Sequence, residues 1–144
     1  MKEAIVLIVA VFVAASPVSA RLGDSSDMIE DSYGAVIQRR LRDDGTVSVI
    51  YTKDAYLYLV SFANDRSISE SYSHVKGTDL SEKEIMRFLK ANAGSTKWIS
   101  DNTHTVRRFT RSDGKAEAIY APVNGRPALT VRELQSDHRR SDQR

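Results

Sequence analysis

The chain writes one hairpin twice, and no other feature narrows its fold as much. Gln38 to Tyr51 reads QRRLRDDGTVSVIY, and Val106 to Tyr120 reads VRRFTRSDGKAEAIY. Between Arg42–Tyr51 and Arg111–Tyr120 five of ten positions are identical. A turn rich in Asp and Gly between two strand-like runs marks an antiparallel hairpin. Loop length then decides which side chains face the core. A two-residue Asp44-Gly45 turn sets Arg40 and Arg42 beside Val47, Val49 and Tyr51, whereas a three-residue loop with a left-handed Gly45 sets Leu41 there. Burying arginines costs far more than burying leucine, so the three-residue loop is expected, with Arg40 and Arg42 on the opposite face. In the second copy Thr110 is one residue extra, and a bulge near it keeps Phe109 in the core.

The flanking segments supply the remaining elements. Ser25 and Asp27 open a short helix with Met28, Ile29, Ser32 and Tyr33 on one face, and Gly34 ends it. YLYLVSFA and SISESYSHV, on either side of Asn64-Asp65, read as strands. Ser81 and Glu84 form a capping box, Leu80 staples onto Ile85, and Ile85, Met86, Phe88 and Leu89 make an apolar stripe. A less regular segment carries Trp98, which reads as a core plug, and ALTVREL is the last strand. The expected fold is α+β: two helix-then-antiparallel-sheet units (α-β4-α-β3) forming one two-layer domain over residues 21–134. The repeat units are 21–76 and 77–134, the repeat is read as a duplication, and residues 135–144 read as a disordered tail.

Residues 1–20 stand apart. Ala4 to Ala15 is an unbroken apolar run, Pro17 stops it, and Val18-Ser19-Ala20 places small side chains where a signal peptidase accepts them. This pattern predicts a secretory signal peptide cleaved between Ala20 and Arg21, hence an exported protein, periplasmic or secreted. The apolar run is too short to span a bilayer, and no second one follows, so no transmembrane segment is expected after cleavage. The chain has no cysteine, which excludes disulfides, a thiol nucleophile and lipid attachment at a mature N-terminal cysteine. A net charge of +2 with 28% charged residues mixes both signs, unlike the footprint of a nucleic-acid binder.

Little in the sequence carries chemistry. His74, His104 and His138 lack the spacing of metal ligands. There is no G-x-S-x-G elbow and no phosphate-binding glycine loop. Glu82 and Glu84 read as helix caps, and Asp43, Asp44 and Asp113 as turn residues. No catalytic residue, metal or cofactor is therefore expected, and the function expected is non-enzymatic. The arginines Arg39, Arg40 and Arg42 of one hairpin, with Arg107, Arg108 and Arg111 of the other, form a candidate basic strip for a protein partner or an anionic envelope component. The other reading of these arginines is cross-strand pairing with Glu70 and Glu117 and protection of the sheet against edge association. Tyr56, Tyr58 and Tyr72 extend the strip to a Tyr/Arg surface wherever helices leave the sheet open. The alternative is a small envelope enzyme or ligand carrier, which requires a cavity lined by His74, Glu70 and Tyr72.

The stretch LGDSSDMIEDSYG, Leu22 to Gly34, resembles the Gly, then Ser/Thr cap, then short Gly-terminated helix that opens the tandem modules of the β-lactamase-inhibitor-protein fold and of outer-membrane assembly lipoproteins of the SmpA/OmlA type. Tyr51 and the run YLYLVSFAND are similar to the central hairpin of those modules. The resemblance implies a small exported protein that works by binding other proteins.

Overall fold

A computed structural model describes residues 21–101, 103 and 105–135. The leader expected over 1–20 and nearly all of the tail lie outside these residues. The apolar–polar alternation becomes one sheet of eight antiparallel strands: β1 (Ala35–Leu41), β2 (Val47–Lys53), β3 (Tyr56–Ala63), β4 (Arg66–His74), β5 (Trp98–Asp101), β6 (Arg107–Arg111), β7 (Ala116–Val123) and β8 (Arg126–Glu133). Their order across the sheet is β1-β2-β3-β4-β8-β7-β6-β5. Two helices, α1 (Ser26–Tyr33) and α2 (Glu82–Ala91), precede the two four-strand meanders. The chain runs from β4 through α2 to the far edge and returns strand by strand, so the last strand closes against β4 in the middle.

This arrangement corrects the expected fold. The described residues are mostly one continuous sheet with two short helices, not two helix-then-sheet units, and their second half carries four strands instead of three. The missed strand, β5, is four residues long with Ile99 and Ser100 exposed, so no alternation advertised it. Pairing of Glu70 with Val131 and Tyr72 with Leu129 across β4 and β8 merges the halves. Their buried side chains form one core cluster, from Ile29 and Tyr51 to Phe109 and Val131.

Period-two alternation sends Val49 and Tyr51, Tyr58 and Val60, Tyr72, Leu129 and Val131, and Phe109 to one face, where both helices lie. α1 inserts Ile29 and Tyr33, and the Tyr33 ring stacks on Tyr58 at 4.0 Å. α2 inserts Ile85, Phe88 and Leu89, and Phe88 stacks on Tyr72 at 4.2 Å. Its N-terminus has the complete Ser81/Glu84 capping box, and Leu80 and Ile85 are both buried. Met28 and Met86, read as part of the apolar faces, are exposed instead, because each helix touches the sheet along a stripe only two or three side chains wide. Trp98 packs on the cluster from its edge and donates Nε1–H to the Leu89 carbonyl at 2.6 Å.

The first hairpin has the expected loop, in which Arg42 N–H bonds Thr46 O, Gly45 sits at φ 82° and Leu41 pairs with Val47, but Leu41 stays exposed instead of entering the core. In the second, the register through Arg107–Thr110 is regular, so the bulge expected near Thr110 is not there; the four-residue connection Ser112–Lys115 takes up the extra residue. The bulges lie at Ile37 in β1 and at Ile68 in β4. The second matters most, because it turns Ser67 back to the helix-covered face opposite Phe62.

Gly34 ends α1 at φ 83°, ψ −137°, and a Cβ there lies 3.2 Å from the Thr52 carbonyl oxygen. Gly34→Ala is expected to lose about 1–3 kcal/mol of stability from backbone strain alone, read from the urea midpoint. A midpoint equal to wild type contradicts this account.

Candidate functional site

The two faces of the sheet differ in what covers them. On the helix-covered face a carboxyl, Glu70, is fully buried at the middle of β4. Tyr33 and Tyr72 both donate to its Oε2 at 2.6 Å, and Ser67 donates to Oε1 at 3.1 Å. Asn92, just past α2, donates to the Tyr72 hydroxyl at 2.8 Å and accepts from Leu22 N–H at 2.8 Å. Burial pushes Glu70 above the usual carboxylate range against the pull of its three donors, and Asp24 adds to the rise. Tyr58 is pushed up to about 12, again chiefly by burial.

At the rim of the same face Tyr56 donates to Glu84 Oε1 at 2.5 Å, and the His74 ring lies 3.0 Å from that oxygen while stacking on Tyr56 at 5.0 Å. The Tyr56 hydroxyl foremost, then the Ser81 N–H of the capping box and His74, hold Glu84 down to about 2. The cavity that an enzyme or carrier reading requires is not formed by its named residues: Glu70 and Tyr72 are packed solid and His74 is turned to Glu84. Among the described residues no three His, Asp or Glu side chains gather as a metal site, and no helix is long and apolar enough to cross a membrane. His104 and His138 lie outside the described residues.

The tyrosine part of the expected surface is thereby corrected. Tyr58 and Tyr72 are core residues and Tyr56 is half-buried under α2, beneath the Arg87 guanidinium at 5.2 Å. A long alternating strand does not say which of its faces a helix will cover.

The open face carries Gln38 and Arg40 of β1, Ser48 and Ile50 of β2, Leu59 and Ser61 of β3, and hydroxyls from Ser69 to Thr130 across the β4–β8 seam. No helix among the described residues covers it, yet Ser71 and Glu117 on it are buried. Asn124, at the β7–β8 turn, lines a cleft together with Gln38, Arg40 and Arg42 over a floor of Ser48, Ile50 and Leu59, with a volume of about 300 Å³. The sheet therefore curls so that one end of the second meander approaches the β1 edge.

The six arginines do not form one strip. Arg40 and Arg42 meet at this cleft. Arg108 shares the open face, but five strands separate β6 from β1, and it pairs with Glu117, which Arg132 also grips through Nε at 2.5 Å. Arg107 lies on the other face, where it pairs with Glu82 and covers the Phe109 ring at 5.3 Å. Arg111, on that face too, bonds Asp113 at 3.0 Å and the Asn92 carbonyl at 3.1 Å, and it holds Asp113 below the usual carboxylate range. Arg39 projects from β1 toward the helix side. Cross-strand pairing with a carboxylate thus holds for Glu117, whereas Glu70 serves the core. Gln38 and Asn124, which complete the cleft, carried no signal in the sequence; the curl of the sheet brings them together.

No family model matches the chain, and no curated protein matches it. Among solved structures the chain is similar to a cysteine-rich secretory protein from Staphylococcus aureus, with a TM-score of 0.44 and 13% identity over 81% of this chain. The match spans 45% of that protein.

Glu70 also sets a pH dependence. In the unfolded chain it ionises near pH 4.5. In the fold its pKa is higher, so its contribution is complete below pH 4.5 and is lost as pH rises through the folded value. Glu70→Gln preserves the contacts: its carbonyl oxygen takes both tyrosine donors and its amide donates to Ser67, whose proton turns to Arg21 O at 3.3 Å. Urea titrations from pH 4.5 upward are expected to show the variant gaining on wild type until the folded pKa of Glu70 is passed, and holding a constant lead beyond it. Glu84, held down to about 2, loses its contribution only as pH falls below 4.5 and does not enter this window. A stability difference constant with pH contradicts a raised Glu70.

Proposed function

We propose that the chain is an exported, non-enzymatic protein-interaction module whose cleft beside β1 meets an acidic surface of a partner. The observation that carries this reading is the asymmetry of the arginines. Arg107, Arg108 and Arg111 are each matched by a carboxylate, whereas Arg39, Arg40 and Arg42 have no ion-pair partner among the described residues. Guanidinium groups outside any ion pair, over a partly apolar floor, are the composition of a recognition surface, since Arg binds carboxylates bidentately and stays charged. Export rests on the leader-like pattern of residues 1–20. Mutual pairing of the polar groups at Glu70 and at Glu84 supports a scaffold role for them. The resemblance of Leu22–Gly34 to modules that bind other proteins points the same way.

Affinity capture of the tagged protein from its native envelope fraction tests this. One partner in near-stoichiometric amount is expected with wild type and with Arg107→Glu. Its recovery should fall about tenfold when Arg40 and Arg42 are reversed to Glu, the loss of two charge-assisted contacts. Equal recovery with all three proteins, or no partner at all, overturns the reading.

A further inference from the structure

We infer that the free edge of β1 takes an extended acidic segment of the partner as a ninth strand of the sheet. This rests on the cleft reading above and specifies how its partner is held. Among the described residues β1 is an outer strand, bonded only to β2, and all seven of its residues are exposed. Leu41 is 73% exposed although it lies on the helix side, because neither helix reaches that far. Arg42 N–H bonds Thr46 O, so alternation along the ladder turns the N–H and C=O of Arg39 and Leu41 outward. Those groups are what an added strand requires.

The side chains state the chemistry of that strand. Arg40 and Arg42 project to the open face at the cleft, two residues apart. Residues opposite them on an antiparallel partner share that face, and carboxylates there reach both guanidinium groups. The residue between them lies opposite Leu41 and is aliphatic. The next one meets Arg39 and is acidic. Read along the partner, the pattern is acidic, aliphatic, acidic, acidic. A second copy of β1 does not fit, because antiparallel self-pairing brings arginine against arginine, and like charges at such positions repel.

The probe is a labelled dodecapeptide with Glu-Val-Glu-Glu at its centre, titrated into the protein at low salt and followed by amide hydrogen exchange. Binding is expected to slow exchange at Arg39 and Leu41, and Arg40→Ala/Arg42→Ala should weaken it about tenfold. The same peptide N-methylated at the residues facing Arg39 and Leu41 should bind at least tenfold more weakly, since its ladder donors are gone. Equal binding of the methylated peptide, with Arg40 and Arg42 still required, overturns strand addition and leaves the acidic-partner reading standing. Binding indifferent to Arg40 and Arg42 overturns both. Protection of the two amides by concentration alone means a second copy occupies the edge, and binding of phosphatidylglycerol vesicles in place of the peptide means a lipid surface does; either overturns the inference.

Discussion

One carboxyl fastens the helix layer to the sheet. Burying Glu70 in the middle of an eight-stranded sheet is costly unless its oxygens are bonded, and a half-satisfied network is worse than an apolar core. Its donors come from three places: Tyr33 at the end of α1, Tyr72 two residues along β4, and Ser67 at the start of that strand. Ser67 can serve only because Ile68 is bulged out of register. Asn92 extends the chain of bonds from Tyr72 to the backbone of Leu22, and Gly23 N–H bonds Ser67 Oγ at 2.9 Å. The irregular strand, the placement of both helices and the path of the N-terminal segment follow from one need, the satisfaction of a single buried side chain.

Several of these features are written locally and were legible. The capping box at Ser81, the left-handed Gly34 and the three-residue loop at Gly45 depend on neighbours in sequence, and each stands where the residues place it. What depends on distant partners was not legible. β5 becomes a strand because β6 offers it an edge, and Trp98 to Asp101 has too few residues for a period to register. Glu70 looks like one more surface carboxylate in an alternating strand: Tyr72 is close but gives no sign that the face is covered, Tyr33 lies far off in sequence, and Ser67 is brought round by a bulge. The tyrosines of β3 and β4 alternate equally well whichever face is covered. Thr110 is the clearest case: an extra residue can be absorbed by a bulge or by a longer turn, and here the turn took it.

The two hairpins that read so alike end in different electrostatic states. In the second, Glu82, Glu117 and Asp113 lie within reach of the arginines, so the charge is spent inside the fold. In the first, Asp44 feels the charge of Arg42 without forming an ion pair, and the side chains beneath Arg40 and Arg42 are Ser48, Ile50 and Leu59. Similar residues therefore yield a structural hairpin at one end of the sheet and an unsatisfied one at the other. The curl that brings Asn124 toward β1 adds shape to that charge.

The closure of β8 on β4 has a kinetic side. Ser71 and Thr130, bonded across that seam at 2.7 Å, are 59 positions apart, whereas each meander forms from neighbours. Loop-closure entropy must be met before such a pairing gives anything back, so the seam is expected to form after the meanders. Until it forms, β4 is an open edge, although the three donors to Glu70 already lie in the first half. During synthesis the first half emerges with that edge bare and must wait for the last strand, the interval in which such a chain is most exposed to wrong pairing.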